Sequence, residues 1–152
     1  MADRRRALLV CSPGGHLLQL MTMQPAWEDL ERTWITLAAP DSDYLLRDER
    51  KVLARGPTNR SLRALVSNLW LAWRITKRER PDVILSTGAA LAFPFFLAGK
   101  LRGARLVYVE SLTRTTSLSL TGRLVRPLAD AFFVQWPDLA TEKGVRFVGR
   151  LL

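Results

Sequence analysis

The sequence predicts an α/β fold, a parallel sheet with helices on both faces. Three observations predict it. Short apolar runs of strand length alternate with longer segments of helical character. The first run, Ala7-Leu8-Leu9-Val10, turns on Cys11-Ser12-Pro13-Gly14-Gly15-His16 directly into an apolar helical segment. The other main runs also end on polar or glycine-bearing residues: Ser86-Thr87-Gly88, Glu110-Ser111 and Gln135-Trp136. Ligands of parallel α/β sheets bind outside the carboxyl ends of the strands, so these four ends mark the candidate site.

Strands are expected over residues 6–11, 33–38, 82–86, 105–109 and 131–135, with weaker candidates at 51–54 and 146–148. Helices are expected to begin near His16, Ser61, Ala89 and Leu118. Residues 40–60 mix charges with Gly56-Pro57 and read as a connecting region containing a weak strand. Neither an internal repeat nor a low-complexity stretch is present. The 152 residues are expected to form one domain, 1–152, or one half of a two-domain machine.

The helix expected from Ser61 to about Arg78 is amphipathic. At about 100° per residue, Leu62, Leu65, Val66, Leu69 and Trp73 share one face, the expected core stripe. Arg63, Arg74 and Arg78 cluster on an adjacent arc, bordered by Trp70 on one side and by Leu71 and Ile75 on the other. Basic residues beside exposed apolar and indole groups suit a membrane interface or a partner. A wide buried face with ordinary solvated arginines is the plainer account. Residues 83–99 are also apolar, but the run is short and broken by Ser86, Thr87, Gly88 and Pro94. A spanning helix needs about 20 apolar residues, so a buried strand, a glycine turn and an apolar helix explain it better. Phe95 and Phe96 are expected in the core or on a surface for lipid or a partner chain.

The chain carries a formal net charge of +9 with 48% apolar residues. Such a balance favours anionic partners: nucleic acid, an acidic membrane surface or a phosphate-bearing substrate. Solvated surface arginines are the bland alternative. No zinc ligands, basic zipper or aromatic-rich glycine motif accompanies the charge, so nucleic acid ranks lowest and no metal site is expected. The single cysteine, Cys11, excludes an intrachain disulfide and fits a reducing compartment. The polar, basic start, residues 1–6, is not expected to act as a secretory leader.

Several motifs occur in a telling order: Ser12-Pro13-Gly14-Gly15-His16, Pro81-Asp82-Val83-Ile84 with Ser86-Thr87-Gly88, Glu110-Ser111 and Arg114, Thr121-Gly122, and Val134-Gln135-Trp136. This ordered set resembles the membrane-associated, acceptor-side subunits of split UDP-sugar glycosyltransferases. That family includes the eukaryotic Alg-type anchor subunit and the PssD-type proteins of bacterial capsule and exopolysaccharide synthesis. The first glycine turn is also similar to that of MurG. The resemblance implies a Rossmann-like domain corresponding to the N-terminal half of a GT-B glycosyltransferase. It implies an acceptor that is a polyprenyl-diphosphate-linked saccharide, and a donor-binding partner subunit that holds the UDP-sugar. No cofactor is then expected on this chain. The eukaryotic subunit has an N-terminal spanning helix, and none is expected from this sequence. Peripheral attachment to an anionic membrane surface, on the cytoplasmic face, is the expectation in its place.

Within that resemblance the residues take roles. Ser12, Gly14 and Gly15 offer a turn whose backbone N–H groups suit a pyrophosphate, although tight turns favour glycine on steric grounds alone. His16, the only histidine, is a candidate base for the acceptor hydroxyl, because imidazoles as a class titrate near neutral pH. The alternative is a helix-start residue bonded to its own turn. Glu110 is the second candidate base or sugar ligand, against an ion pair with Arg114. Arg114 suits an acceptor phosphate. Ser86, Thr87 and Ser111 are expected to bond the acceptor, and Gly88 to serve backbone geometry. Trp136 suits a sugar, the partner or the core. Two other readings stay open: a non-catalytic scaffold that recruits and activates the donor-binding chain, and a small nucleotide-binding α/β domain. Against the latter, no G-x-G-x-x-G follows the first strand.

Overall fold

Seven strands, all parallel, form one sheet in the order β3-β2-β1-β4-β5-β6-β7. The computed structural model describes residues 4–58 and 60–152; Met1, Ala2, Asp3 and Asn59, the last within the expected connecting region, lie outside them. The strands are β1 (Arg6–Val10), β2 (Glu31–Thr36), β3 (Lys51–Leu53), β4 (Val83–Ser86), β5 (Arg105–Val109), β6 (Ala131–Val134) and β7 (Val145–Phe147). Both weak strand candidates are therefore real edge strands.

The helices are α1 (Gly15–Thr22), α2 (Gln24–Trp27), α3 (Pro40–Leu45), α4 (Leu62–Glu79), α5 (Ala92–Leu101) and α6 (Leu120–Val125). Short α2 and α3 were not anticipated. Each carries proline in its first turn, where a missing N–H costs nothing.

Side chains alternate along each strand and feed two separate cores. Leu8, Val10, Ile35, Ile84, Leu106 and Phe132 point to the face covered by α4, α5 and α6. Ala7, Leu9, Trp34, Leu85 and Val109 point to the other, covered by α1 and α2. Burial on both faces explains why the strands read as unbroken apolar runs.

The chain first moves outward from β1 to β2 and β3, then crosses back to β4 on the opposite side of β1. The strand order thus reverses between β1 and β4. Their carboxyl ends flank the crevice where doubly wound sheets place ligands.

Helix α4 lies on its expected span but with a different face inward. Leu62, Val66 and Trp73, read as core, are 79%, 65% and 48% exposed. Ala64, Asn68, Ala72, Ile75 and Thr76 are buried instead. The reason is steric and polar together. The alanines allow close approach to the layer beneath. Asn68 accepts from the Arg55 N–H and donates to the Arg55 carbonyl, both at 2.9 Å. Thr76 donates to the Ala72 carbonyl at 2.7 Å. Buried polar groups so satisfied cost little. Ile75, expected beside the basic lipid or partner surface, is consequently core at 4% exposed; on α5, Phe95 and Phe96 are fully buried, which settles them as core rather than a lipid or partner surface. Phe96 packs edge-on against Tyr108 at 5.9 Å between centroids. Leu71 is half-buried, while Arg63, Trp70, Arg74 and Arg78 are exposed as expected.

Replacing Asn68→Ala strands two backbone groups of Arg55 and is expected to cost about 2 kcal/mol, whereas Val66→Ser on the outer face stays within about 0.5 kcal/mol. Urea denaturation of both variants checks it. The opposite order would restore the hydropathy-based face.

Candidate functional site

The site edge is built where β1 and β4 end. Helix α1 starts at Gly15 and carries His16 in its first turn. The His16 Nδ1 lies 2.8 Å from the Thr87 carbonyl oxygen. A carbonyl only accepts, so Nδ1 carries the proton and Nε2 is left with its lone pair in the neutral ring. The Thr87 hydroxyl returns a bond to the His16 carbonyl at 2.6 Å. The alternative of His16 bonding its own turn is not what the geometry shows.

Gly88 forms the floor beneath the ring. Its φ is +121°, and a Cβ there would stand 2.8 Å from His16 Cε1 and 3.3 Å from the Tyr108 hydroxyl. A side chain is excluded both by the backbone angle and by the ring. Ala89, next in sequence, also has a positive φ of 72°. Such strain in a non-glycine residue concentrates at functional edges.

Several expected acceptor ligands turn inward instead. Ser86 and Thr87 are fully buried. The Ser86 hydroxyl accepts the Gly88 N–H at 3.1 Å. Ser111 is buried, its hydroxyl paired with Thr113 at 3.0 Å. These residues shape the edge rather than line it. Ser12 and His16 are half-buried, and Gly14, Gly15 and Arg114 are exposed.

Glu110, the second candidate base, is 1% exposed. Its carboxylate accepts from Ser111 N (3.0 Å), Ser119 N (2.9 Å), the Ser119 hydroxyl (2.9 Å) and, more weakly, the Tyr108 hydroxyl (3.4 Å). Among the described residues Arg114 makes no ion pair with it. Burial, and then the neighbouring Glu110 charge, raise the Tyr108 phenol above its ordinary range. It therefore stays a hydroxyl at any physiological pH.

Sequence reasoning missed Asp41. Its carboxylate accepts the Gly14 N–H at 2.6 Å, from 27 positions away. One amide of the expected phosphate turn is thus already engaged by an acid. Gln19 and Gln135 were also unseen as a pair. Gln135 Nε2 donates to Gln19 Oε1 at 2.6 Å and to the Glu110 carbonyl at 3.0 Å, joining α1, β5 and β6 behind the edge. Trp136 donates to the Leu112 carbonyl at 2.7 Å and lies 4.0 Å beneath the Arg150 guanidinium. Among the described residues no three His, Cys, Asp or Glu side chains are placed to hold a metal. A groove of about 460 Å³ lies to one side, along α6, and is lined by Ser117, Arg123, Arg126, Asp138 and Glu142 among others. His16, half-buried, does not line this groove.

This parallel Rossmann-like sheet, with its polar edge at the β1/β4 switch, matches the fold of the N-terminal half of GT-B glycosyltransferases. Solved structures with this arrangement include Acinetobacter baumannii MurG, which superposes with a TM-score of 0.75 over 95% of this chain and 45% of MurG, at 18% identity. Staphylococcus aureus MnaA, solved with UDP, matches at a TM-score of 0.72 over 97% of this chain and 44% of its own, at 16% identity. At these identities the likeness concerns the fold.

The family model described as oligosaccharide biosynthesis protein Alg14 like matches residues 46–151. The chain belongs to that family. Curated relatives named UDP-N-acetylglucosamine transferase subunit Alg14 include that of Schizosaccharomyces pombe, 44% identical over 75 residues, covering 45% of this chain and 36% of the relative. That of Rattus norvegicus is 29% identical over 134 residues, covering 78% and 62%. The chain thus matches less than two thirds of the length of each.

Burial, reinforced by the Asp41 charge, raises the Cys11 thiol from about 9.0 to about 12. The unfolded thiol ionises near pH 8.5 while the folded one stays protonated. Stability therefore falls as pH rises from that point to about 12. Between pH 9.5 and 11 the wild type is expected to lose about 1.4 kcal/mol more per pH unit than Cys11→Ala. Denaturation series on both proteins measure the difference, and parallel pH dependences would remove the cause assigned here.

Proposed function

We propose that this chain is the acceptor-side subunit of a two-chain glycosyltransferase. The enzyme moves a sugar from a UDP-sugar to a polyprenyl-diphosphate-linked saccharide, in capsule or exopolysaccharide assembly of the PssD type. The observation that carries the reading is the fixed His16 tautomer at the β1/β4 switch, where strand order reverses. Nε2 takes the proton of the acceptor hydroxyl as that oxygen bonds to the anomeric carbon of the donor sugar. The bond from that carbon to the diphosphate breaks, and UDP leaves with the electron pair. The UDP-sugar belongs to the partner, whose half closes the cleft. Family membership, the N-terminal-half fold and the titles of the transferase-subunit relatives support this division of labour.

A lipid-linked acceptor requires the site to work at a membrane. Among the described residues no helix is long and apolar enough to cross one. The outward face of α4 supplies a surface instead. Leu62, Val66, Trp70 and Trp73 are exposed along one stripe. Arg74 stacks over Trp70 at 4.5 Å and Arg102 over Trp73 at 4.1 Å. Indole rings sheathed by guanidinium groups fit the headgroup zone of an anionic leaflet. The rotation of α4 enlarges this surface, because Leu62, Val66 and Trp73 of the stripe expected in the core are free for lipid. Attachment is then peripheral, on the cytoplasmic face where the UDP-sugar is available.

In the complex with its donor-binding partner, His16→Ala is expected to lower kcat by about 100- to 10,000-fold with the circular dichroism unchanged. Near-normal turnover would leave a scaffold that recruits the partner without contributing chemistry. For the membrane face, co-sedimentation with vesicles containing phosphatidylglycerol is expected to exceed that with phosphatidylcholine alone. Arg74→Glu with Trp70→Ser should weaken it by about ten-fold or more, at roughly 1 kcal/mol per surface charge. Equal binding by the double variant would move the contact elsewhere.

A further inference from the structure

The loop between β5 and α6 is anchored by one carboxylate at both ends. Ser111 N and Ser119 N, its first and last amides, both donate to Glu110. The Ser119 hydroxyl does so too, while it accepts the Gly122 N–H at 2.9 Å as the N-cap of α6. Gly122 is packed so closely against the carboxylate that a Cβ there would collide with Glu110 Oε2. Oxygen atoms so enclosed have no free approach for an acceptor hydroxyl.

Two further bonds hold the loop from the sides. The Leu112 N–H donates to Gln19 Oε1 at 3.0 Å, and the Leu112 carbonyl accepts from Trp136. Beyond these anchors the chain runs Thr113-Arg114-Thr115-Thr116-Ser117, and all five residues are exposed. The Thr113 hydroxyl pairs with Ser111, which leaves three hydroxyls and a guanidinium held out on a base fixed at five points. Hydroxyls exchange hydrogen bonds with sugars, and a guanidinium pairs with phosphate or sugar oxygens. A loop ordered before binding spends little affinity on being ordered. The Tyr108 hydroxyl that donates to Glu110 also borders Gly88 beside His16, which ties the anchored base of the loop to the histidine.

We infer that residues 113–117 form a preformed wall that selects the acceptor saccharide, and that Glu110 is the positioning residue that sets this wall, not the base. The inference rests on the acceptor-side reading above.

The test uses the complex with the donor-binding partner and three variants: Glu110→Gln, Ser119→Ala and Arg114→Ala. Hydrogen exchange of the 112–118 amides is measured on the same preparations. Loosening the clamp in Glu110→Gln or Ser119→Ala is expected to speed that exchange about ten-fold. The acceptor KM should rise about ten-fold, with kcat within about three-fold, the donor KM unchanged and the pH–rate profile unshifted. Arg114→Ala should leave loop exchange alone. It should change the kcat/KM ratio between two acceptors differing in their terminal sugar by about five-fold or more.

A kcat loss above about 100-fold in Glu110→Gln with one limb of the pH profile abolished, while Ser119→Ala behaves as wild type, would make Glu110 the base and overturn the inference. Should Glu110→Gln fail to fold, Ser119→Ala alone decides, because it keeps the carboxylate and removes one of its donors. An unmoved acceptor ratio in Arg114→Ala overturns the selecting wall. Absence of transfer by the wild-type complex would sink the transferase reading and the wall with it. The exchange data would still report on the clamp by itself.

Discussion

Two reciprocal bonds between His16 and Thr87 hold the working edge of this fold together. One runs from the imidazole to a backbone carbonyl and the other from a hydroxyl back to the histidine's own carbonyl. They bridge the first turn of α1 to the end of β4, across the place where strand order reverses. Everything near them is arranged to permit that approach. Gly88 gives up its side chain to the ring, and Ser86 turns its hydroxyl to the Gly88 amide. The tautomer follows from topology: β4 ends beside β1 and directs a carbonyl at the one ring nitrogen within reach.

Behind that edge lies a second layer of buried polar groups, satisfied by one another. Gln19, Gln135 and Glu110 link the first helix, the fifth strand and the sixth. Unmade bonds in such a layer are costly in a low-dielectric interior, so the network tolerates few arrangements. The result is a division of labour. Inner residues fix the backbone, and half-buried His16 and exposed Arg114 stand outside this network.

The strands, their order of appearance and the four polar strand ends were legible in the sequence. In a sheet covered on both faces the strands are unbroken apolar runs, and their ends must change character. The orientation of α4 was not legible. Periodicity identifies an apolar arc but not which arc is inward, and here small residues and a doubly bonded asparagine won over leucine and tryptophan. The state of Glu110 was hidden for a different reason. Its position at a strand end was plain, but its donors come from a serine nine residues on, and the space above it is closed by a glycine twelve residues on. Asp41 escaped because two helices and a strand separate it in sequence from the amide whose hydrogen bond it accepts.

The close packing of Gly122 on Glu110 has a consequence for how this chain can vary. Positions 110, 119 and 122 share one small volume, so none is free to change alone. A side chain at 122 expels the carboxylate. A shorter residue at 110 releases the loop amides, and a larger one at 119 uncaps α6. Paths through sequence space that preserve the fold must alter the three in concert, whereas the five loop residues they support can drift one at a time. The architecture therefore separates a constrained clamp from an adjustable rim, whose side chains can change by single steps that leave the sheet untouched.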